Sequence, residues 1–117
     1  MKRMSTRVHG YLDYITGVFL IAAPFIFGFD TSNPESEILV ILGIALLLYS
    51  FFTRYELGFI PLISMPVHLA MDVVSGVLLV ISPWLFGFAD RVFLPHLILG
   101  LFEITAALMT RPAAGLQ

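Results

Sequence analysis

Four apolar runs constrain this chain more than any single residue does: about Val8 to Phe29, Pro34 to Thr53, Pro66 to Phe88, and Leu94 to Thr110. At about 1.5 Å per helical residue, each crosses or nearly crosses a hydrocarbon core of about 30 Å, the fourth being the shortest. A backbone in lipid has no water to bond, so each run must satisfy its own N–H and C=O groups as a helix. Composition excludes the soluble alternative: with 59% hydrophobic and 12% charged residues in a chain of 117, a small water-soluble domain could not hide its apolar surface. The expected fold is therefore all-α, a four-helix transmembrane bundle forming a single membrane domain over residues 1–117. With no cysteine there is no disulfide framework or thiolate site, and a net charge of -2 gives nucleic acid nothing to bind.

Two of the runs are interrupted alike. AAPFIFGF at Ala22 to Phe29 and ISPWLFGF at Ile81 to Phe88 both place a helix-breaking proline and a glycine in apolar sequence. Aligning His9–Phe29 with His68–Phe88 gives nine identities in 21 positions, among them His9/His68, Asp13/Asp72, Gly17/Gly76, Pro24/Pro83 and Gly28/Gly87. The second and fourth runs align more weakly, through Gly43/Gly100, Thr53/Thr110 and Arg54/Arg111. The chain is two copies of a helical hairpin, residues 8–54 and 66–111. Each copy holds two spans, so both point the same way across the bilayer about a pseudo-twofold axis along its normal. Pro24 and Pro83 lack an N–H, which deprives the carbonyls of Leu20 and Leu79 of helical partners; a bend is expected there, with Gly28 and Gly87 ending the helices.

The repeated hairpin resembles the SPW-repeat family of small bacterial and archaeal membrane proteins. The second copy carries the motif as Ser82, Pro83 and Trp84; the first departs from it with Ala23, Pro24 and Phe25. The resemblance implies architecture and no particular activity. Asn33 before Pro34, with Glu35 and Glu37 following, reads as an N-cap with acids at the positive end of a helix. The linker after Arg54, YELGFIPLIS, is expected to rest in the membrane interface.

Lys2, Arg3, Arg7, Arg54 and Arg111 fall on one side of this topology; Asp30, Glu35, Glu37 and Asp90 fall on the other with Arg91 alone. The positive-inside rule then makes both termini cytoplasmic in a bacterial or archaeal inner membrane, and the first run is read as a span and not as a cleaved leader.

On a helical wheel His9, Asp13, Thr16, Gly17, Leu20 and Pro24 share one sector, as do their counterparts, while Trp84 and Phe25 lie opposite, where an aromatic belt would meet the headgroups. Asp13, Asp72 and Glu103 are intramembrane carboxylates, costing about 2.5 to 3.5 kcal/mol each if ionised in hydrocarbon, so each should face the bundle interior with a partner. His9 and His68 stand at i, i+4 to Asp13 and Asp72. Three uses of the His9, Asp13, His68, Asp72 and Glu103 cluster stay open: a structural clamp, with partners among the histidines, Thr16, Ser75, Arg54 or Arg111; a proton or small-cation pathway; or a metal site. His96, sharing a face with Gly100 and Glu103, is a polar addition of the second copy. There is no HExxH, GxSxG or phosphate-binding glycine loop, so the expectation is a non-enzymatic protein without a cofactor, in contact with the lipid bilayer and associated with itself as a homo-oligomer or with another membrane protein.

Overall fold

Ser5 and Ser64 open the first and third helices in the same way, each in extended backbone and each accepting a hydrogen bond on its side chain, from the amides of Val8 and Val67 at 3.1 and 3.4 Å. The protein is described here by a computed structural model covering residues 4–112, so Lys2 and Arg3, counted above toward the basic side, lie outside the described residues. Four helices follow: α1 Thr6–Phe27, α2 Pro34–Phe51, α3 Met65–Leu85 and α4 Leu94–Met109. The bundle is all-α, and no strand occurs among the described residues apart from two isolated bridges. α1, α2 and α3 are long and apolar enough to cross a membrane; α4, with 16 residues, reaches about 24 Å at 1.5 Å per residue.

Prolines begin three of the helices where a missing N–H costs nothing: Pro34, Pro66 and Pro95 all stand in first turns. Asn33 takes the N-cap position of α2, but its side chain makes no capping bond.

The interrupted segments are helix-ending motifs. α1 and α3 run through Pro24 and Pro83 and stop three and two residues later. The amides of Phe29 and Phe88 bond the carbonyls of Pro24 and Pro83, both at 2.8 Å, and Gly28 and Gly87 between them adopt φ of 72° and 74°. This is a Schellman closure: a proline four residues before a left-handed glycine, then an apolar residue turned back. The apolar runs overshoot the helices because Phe29 and Phe88 belong to the cap, and Phe88 is wholly buried beneath it.

Proline also explains the serine. Pro83 cannot donate to the carbonyl of Leu79, and the buried Ser82 hydroxyl does so instead at 2.8 Å. In the first copy Ala23 stands at that place and has no hydroxyl to give.

Within each hairpin the helices cross at glycine. A Cβ on Gly43 would lie 2.8 Å from the Gly17 carbonyl oxygen, and one on Gly100 2.6 Å from that of Gly76. These are the two repeat-matched pairs, and they let α1 meet α2 and α3 meet α4 backbone to backbone. The core between the hairpins is aliphatic and aromatic, with Leu20, Leu39, Leu46, Leu79 and Phe88 at its centre.

The hairpins exchange their ends. Met4 donates to Met109 O at 2.9 Å and accepts from Arg111 N at 3.1 Å; by the same pattern Ile63 donates to Phe52 O at 2.8 Å and accepts from Arg54 N at 2.8 Å. The entry of each copy is thus bonded to the exit of the other, which places the starts of α1 and α3 at one end of the bundle. Arg7, Arg54 and Arg111 are exposed at that end.

Candidate functional site

The face expected to turn inward does so: His9, Asp13, Thr16, Gly17, Leu20 and Pro24 are buried on α1, and His68, Asp72, Ser75, Gly76, Leu79 and Pro83 on α3. Trp84 and Phe25 are 58% and 71% exposed on the opposite side. With the helix starts adjacent, the two His/Asp pairs meet across the repeat axis, and one ligating atom from each of His9, Asp13, His68 and Asp72 lies within 4.8 Å of the others. The approach between copies is closer than that within them. His9 Nε2 is 2.8 Å from Asp72 Oδ2 but 3.1 Å from Asp13 Oδ1; His68 Nε2 is 3.0 Å from Asp13 Oδ2 but 3.3 Å from Asp72 Oδ2.

Repeat-matched threonines set the histidine tautomers. Thr53 and Thr110 donate their hydroxyl protons to the carbonyls of Tyr49 and Ala106, four residues back in α2 and α4. Each oxygen then has only acceptor capacity left, and a histidine Nδ1 lies 2.7 Å from it: His68 for Thr53 and His9 for Thr110. Nδ1 of both rings therefore carries a hydrogen, and both Nε2 atoms are turned to the carboxylates. His68 Nε2 is buried and lacks a well-formed hydrogen bond, although two carboxylate oxygens stand near it.

Two tyrosines close the outer sides. Tyr49 donates to Asp72 Oδ1, and Tyr55 to Asp13 Oδ2 at 2.7 Å. Tyr55 belongs to the linker after α2; burial, then the charge of Asp13, push its phenol above its ordinary value, so it remains a donor. The linker is pinned by Tyr14 donating to Leu57 O at 2.8 Å and Thr6 donating to Glu56 Oε1 at 2.7 Å, and it turns Phe59 and Leu62 outward, each 71% exposed. Neither tyrosine was singled out from the sequence. The signal present there was the helical spacing of Gly43, Leu46, Tyr49 and Thr53 on one face of α2.

Glu103 joins the periphery of this cluster. Ser75 donates to its Oε1 at 3.3 Å, while the buried Oε2 has no hydrogen-bond partner. Between Glu103 and His9, Asp13 and Asp72 lies a cavity of about 10 Å³, room for roughly one water. Arg54 and Arg111, expected as partners for the aspartates, are exposed; Asp13 and Asp72 are instead bonded by histidines and tyrosines.

His96 shares the buried face of α4 with Gly100 and Glu103, yet it serves the other end of the bundle. Its Nε2 donates to Glu35 O at 2.9 Å, and its ring packs against Phe29 and Phe88. Glu35 itself is buried and takes a two-pronged bond from Arg91, Nη2 to Oε1 at 2.9 Å and Nε to Oε2 at 3.1 Å. Glu35 stands in the first turn of α2 as expected, and it is also a strap from the first copy to the second.

The duplicated two-span hairpin, with proline and a left-handed glycine in both copies and Ser-Pro-Trp in the second, matches the family model described as SPW repeat domain over residues 7–110. The chain belongs to the SPW repeat family. No curated protein and no solved structure matches it. Family membership and the apolar helices make it a membrane protein.

Proposed function

We propose that this SPW repeat protein is a multi-pass component of a bacterial or archaeal cytoplasmic membrane with a structural or interaction role and no catalytic one. The observation that carries this reading is the clamp of His9, Asp13, His68 and Asp72, whose shorter contacts join one hairpin to the other. Four further residues are committed to holding it, Tyr49 and Tyr55 by donating to the aspartates and Thr53 and Thr110 by accepting from the histidines, and the adjoining space admits about one water. A group held from every side suits fixing a shape better than passing an ion. The outward faces, rich in Phe25, Ile41, Val74 and Trp84, suit acyl chains, a second copy of this chain or another membrane protein. The basic ends carrying Arg7, Arg54 and Arg111 would face the cytoplasm, with both termini there.

The test is Asp72→Asn, and separately Asp13→Asn, in chelator-treated protein reconstituted in lipid. The clamp requires a lower unfolding midpoint for both variants and no proton or cation flux through the parent in proteoliposomes. Flux through the parent, lost in Asp72→Asn while its unfolding midpoint stays unchanged, overturns the reading in favour of transport past the cluster.

A further inference from the structure

We infer that the clamp is a binding site for one divalent transition-metal ion, of which Zn2+ is the best fit, held by His9 Nε2, His68 Nε2 and one oxygen each from Asp13 and Asp72. The inference rests on the clamp as the joint between the hairpins and names what the joint takes up. A tetrahedral zinc with arms of about 2.0 to 2.1 Å has ligand-to-ligand edges of roughly 3.3 Å. The N···O distances here are 2.8 and 3.3 Å to Asp72 Oδ2, and 3.1 and 3.0 Å to the two different oxygens of Asp13, and one ligand atom from each residue lies within 4.8 Å of the others, so modest side-chain movements bring one oxygen of each aspartate and both Nε2 atoms around the ion.

Three further features fit a metal better than a set of hydrogen bonds. His68 Nε2, fully buried, is aimed between the carboxylates without a well-formed bond to either. Both rings donate Nδ1–H to a fixed threonine oxygen, the outer hydrogen bond that orients a metal-bound imidazole and raises its basicity. The carboxylates are in turn held by Tyr49 and Tyr55, so the ligands are positioned before the ion arrives. Two aspartates and a divalent cation sum to zero charge, which is what a site inside hydrocarbon requires. Imidazole donors favour zinc and its first-row neighbours over Mg2+ and Ca2+, which take oxygen ligands. Glu103, bonded to Ser75, stands outside the four ligands.

The experiment uses the full chain in detergent, stripped with chelator and titrated with Zn2+, Mg2+ and Co2+. The expected results are one Zn2+ per chain, a raised unfolding midpoint, no competition from excess Mg2+, and the intense visible absorption of four-coordinate Co2+. Thr53→Val should weaken Zn2+ by about 10- to 100-fold through the lost outer bond, His68→Ala by more, and Glu103→Gln should leave it unchanged. Binding well below one per chain, equal competition by Mg2+, or a six-coordinate Co2+ spectrum overturns the site, and the Co2+ spectrum decides on the parent alone should His68→Ala fail to fold. A parent that ignores Zn2+ while Asp72→Asn still lowers the midpoint refutes the metal and leaves the clamp standing; unchanged stability in chelated Asp13→Asn and Asp72→Asn refutes the clamp.

Discussion

Ser82→Ala removes one oxygen from a fully buried position, and the consequence can be worked from a single bond. The Ser82 hydroxyl donates to the Leu79 carbonyl at 2.8 Å, where Pro83 supplies no N–H. Without it a buried acceptor is left unmet, at a cost of about 1 to 3 kcal/mol, offset in part because no hydroxyl need then be buried. A net loss of about 1 to 2 kcal/mol is expected, roughly a 5- to 30-fold change in the folded-to-unfolded ratio. Ser82→Thr keeps the donor and should lose much less. The first copy provides the reciprocal: Ala23→Ser gives the Leu20 carbonyl the partner that Pro24 denies it and should stabilise by about 0.5 to 1.5 kcal/mol. Reversible unfolding in mixed micelles, at constant denaturant slope, measures all three variants. If Ser82→Ala unfolds at the parent's midpoint, the serine does not serve the orphaned carbonyl and the account of the Ser-Pro pair is wrong.

Other expectations follow from the same contacts. Gly100→Ala would drive a Cβ to 2.6 Å from the Gly76 oxygen and 2.9 Å from Val80 N, so the α3–α4 hairpin must part at a cost of about 1 to 3 kcal/mol, and Gly100→Asn should be worse in the same unfolding assay. Gly87→Ala meets no atom within 4 Å and is strained only by its φ of 74°, about 1 to 2 kcal/mol, part of which Gly87→Asn should recover. Tyr55→Phe takes a donor from Asp13 and should cost about 1.5 to 3 kcal/mol, with thermal unfolding as the check. Arg91→Ala strands buried Glu35 and should lower the thermal midpoint; Arg91→Lys, which cannot make the two-pronged bond, should restore only part of it. Trp84, the one tryptophan, should be quenched by brominated lipid more than by aqueous iodide, and the reverse order would remove it from the lipid-facing surface.

Helix number, the inward face and the meeting of His9/Asp13 with His68/Asp72 were legible because they depend on local spacing and on the duplication. An i, i+4 pair cannot point elsewhere than its own helix face, and two copies in one orientation bring equal faces together. Tyr49 and Tyr55 were hidden because their role depends on how far α2 leans and where the linker folds back. The Glu35–Arg91 strap was masked by a sufficient local explanation, since an acid in a first turn already has a reason to be there. Thr53 and Thr110 were visible as an aligned pair, but their task emerges only when each sits beside the other copy's histidine. The helix ends at Gly28 and Gly87 were legible from glycine's tolerance of left-handed backbone, whereas the bond of each following phenylalanine amide back to Pro24 or Pro83 was not, because it depends on where the chain turns after the glycine.

The exchanged ends impose an order on biogenesis. A ribosome releases Met4 and His9 long before Thr110 and Arg111, so the first hairpin enters the bilayer with its entry segment unmatched and its imidazole lacking the threonine that orients it. Thr53 and Ile63 can join as soon as α3 begins, but the corresponding seam at Met4 waits for the last turn of α4. The final joint therefore cannot shut before α4 is made through Thr110 and Arg111, and a nascent chain stopped short of Thr110 would stay open at one seam and closed at its twin.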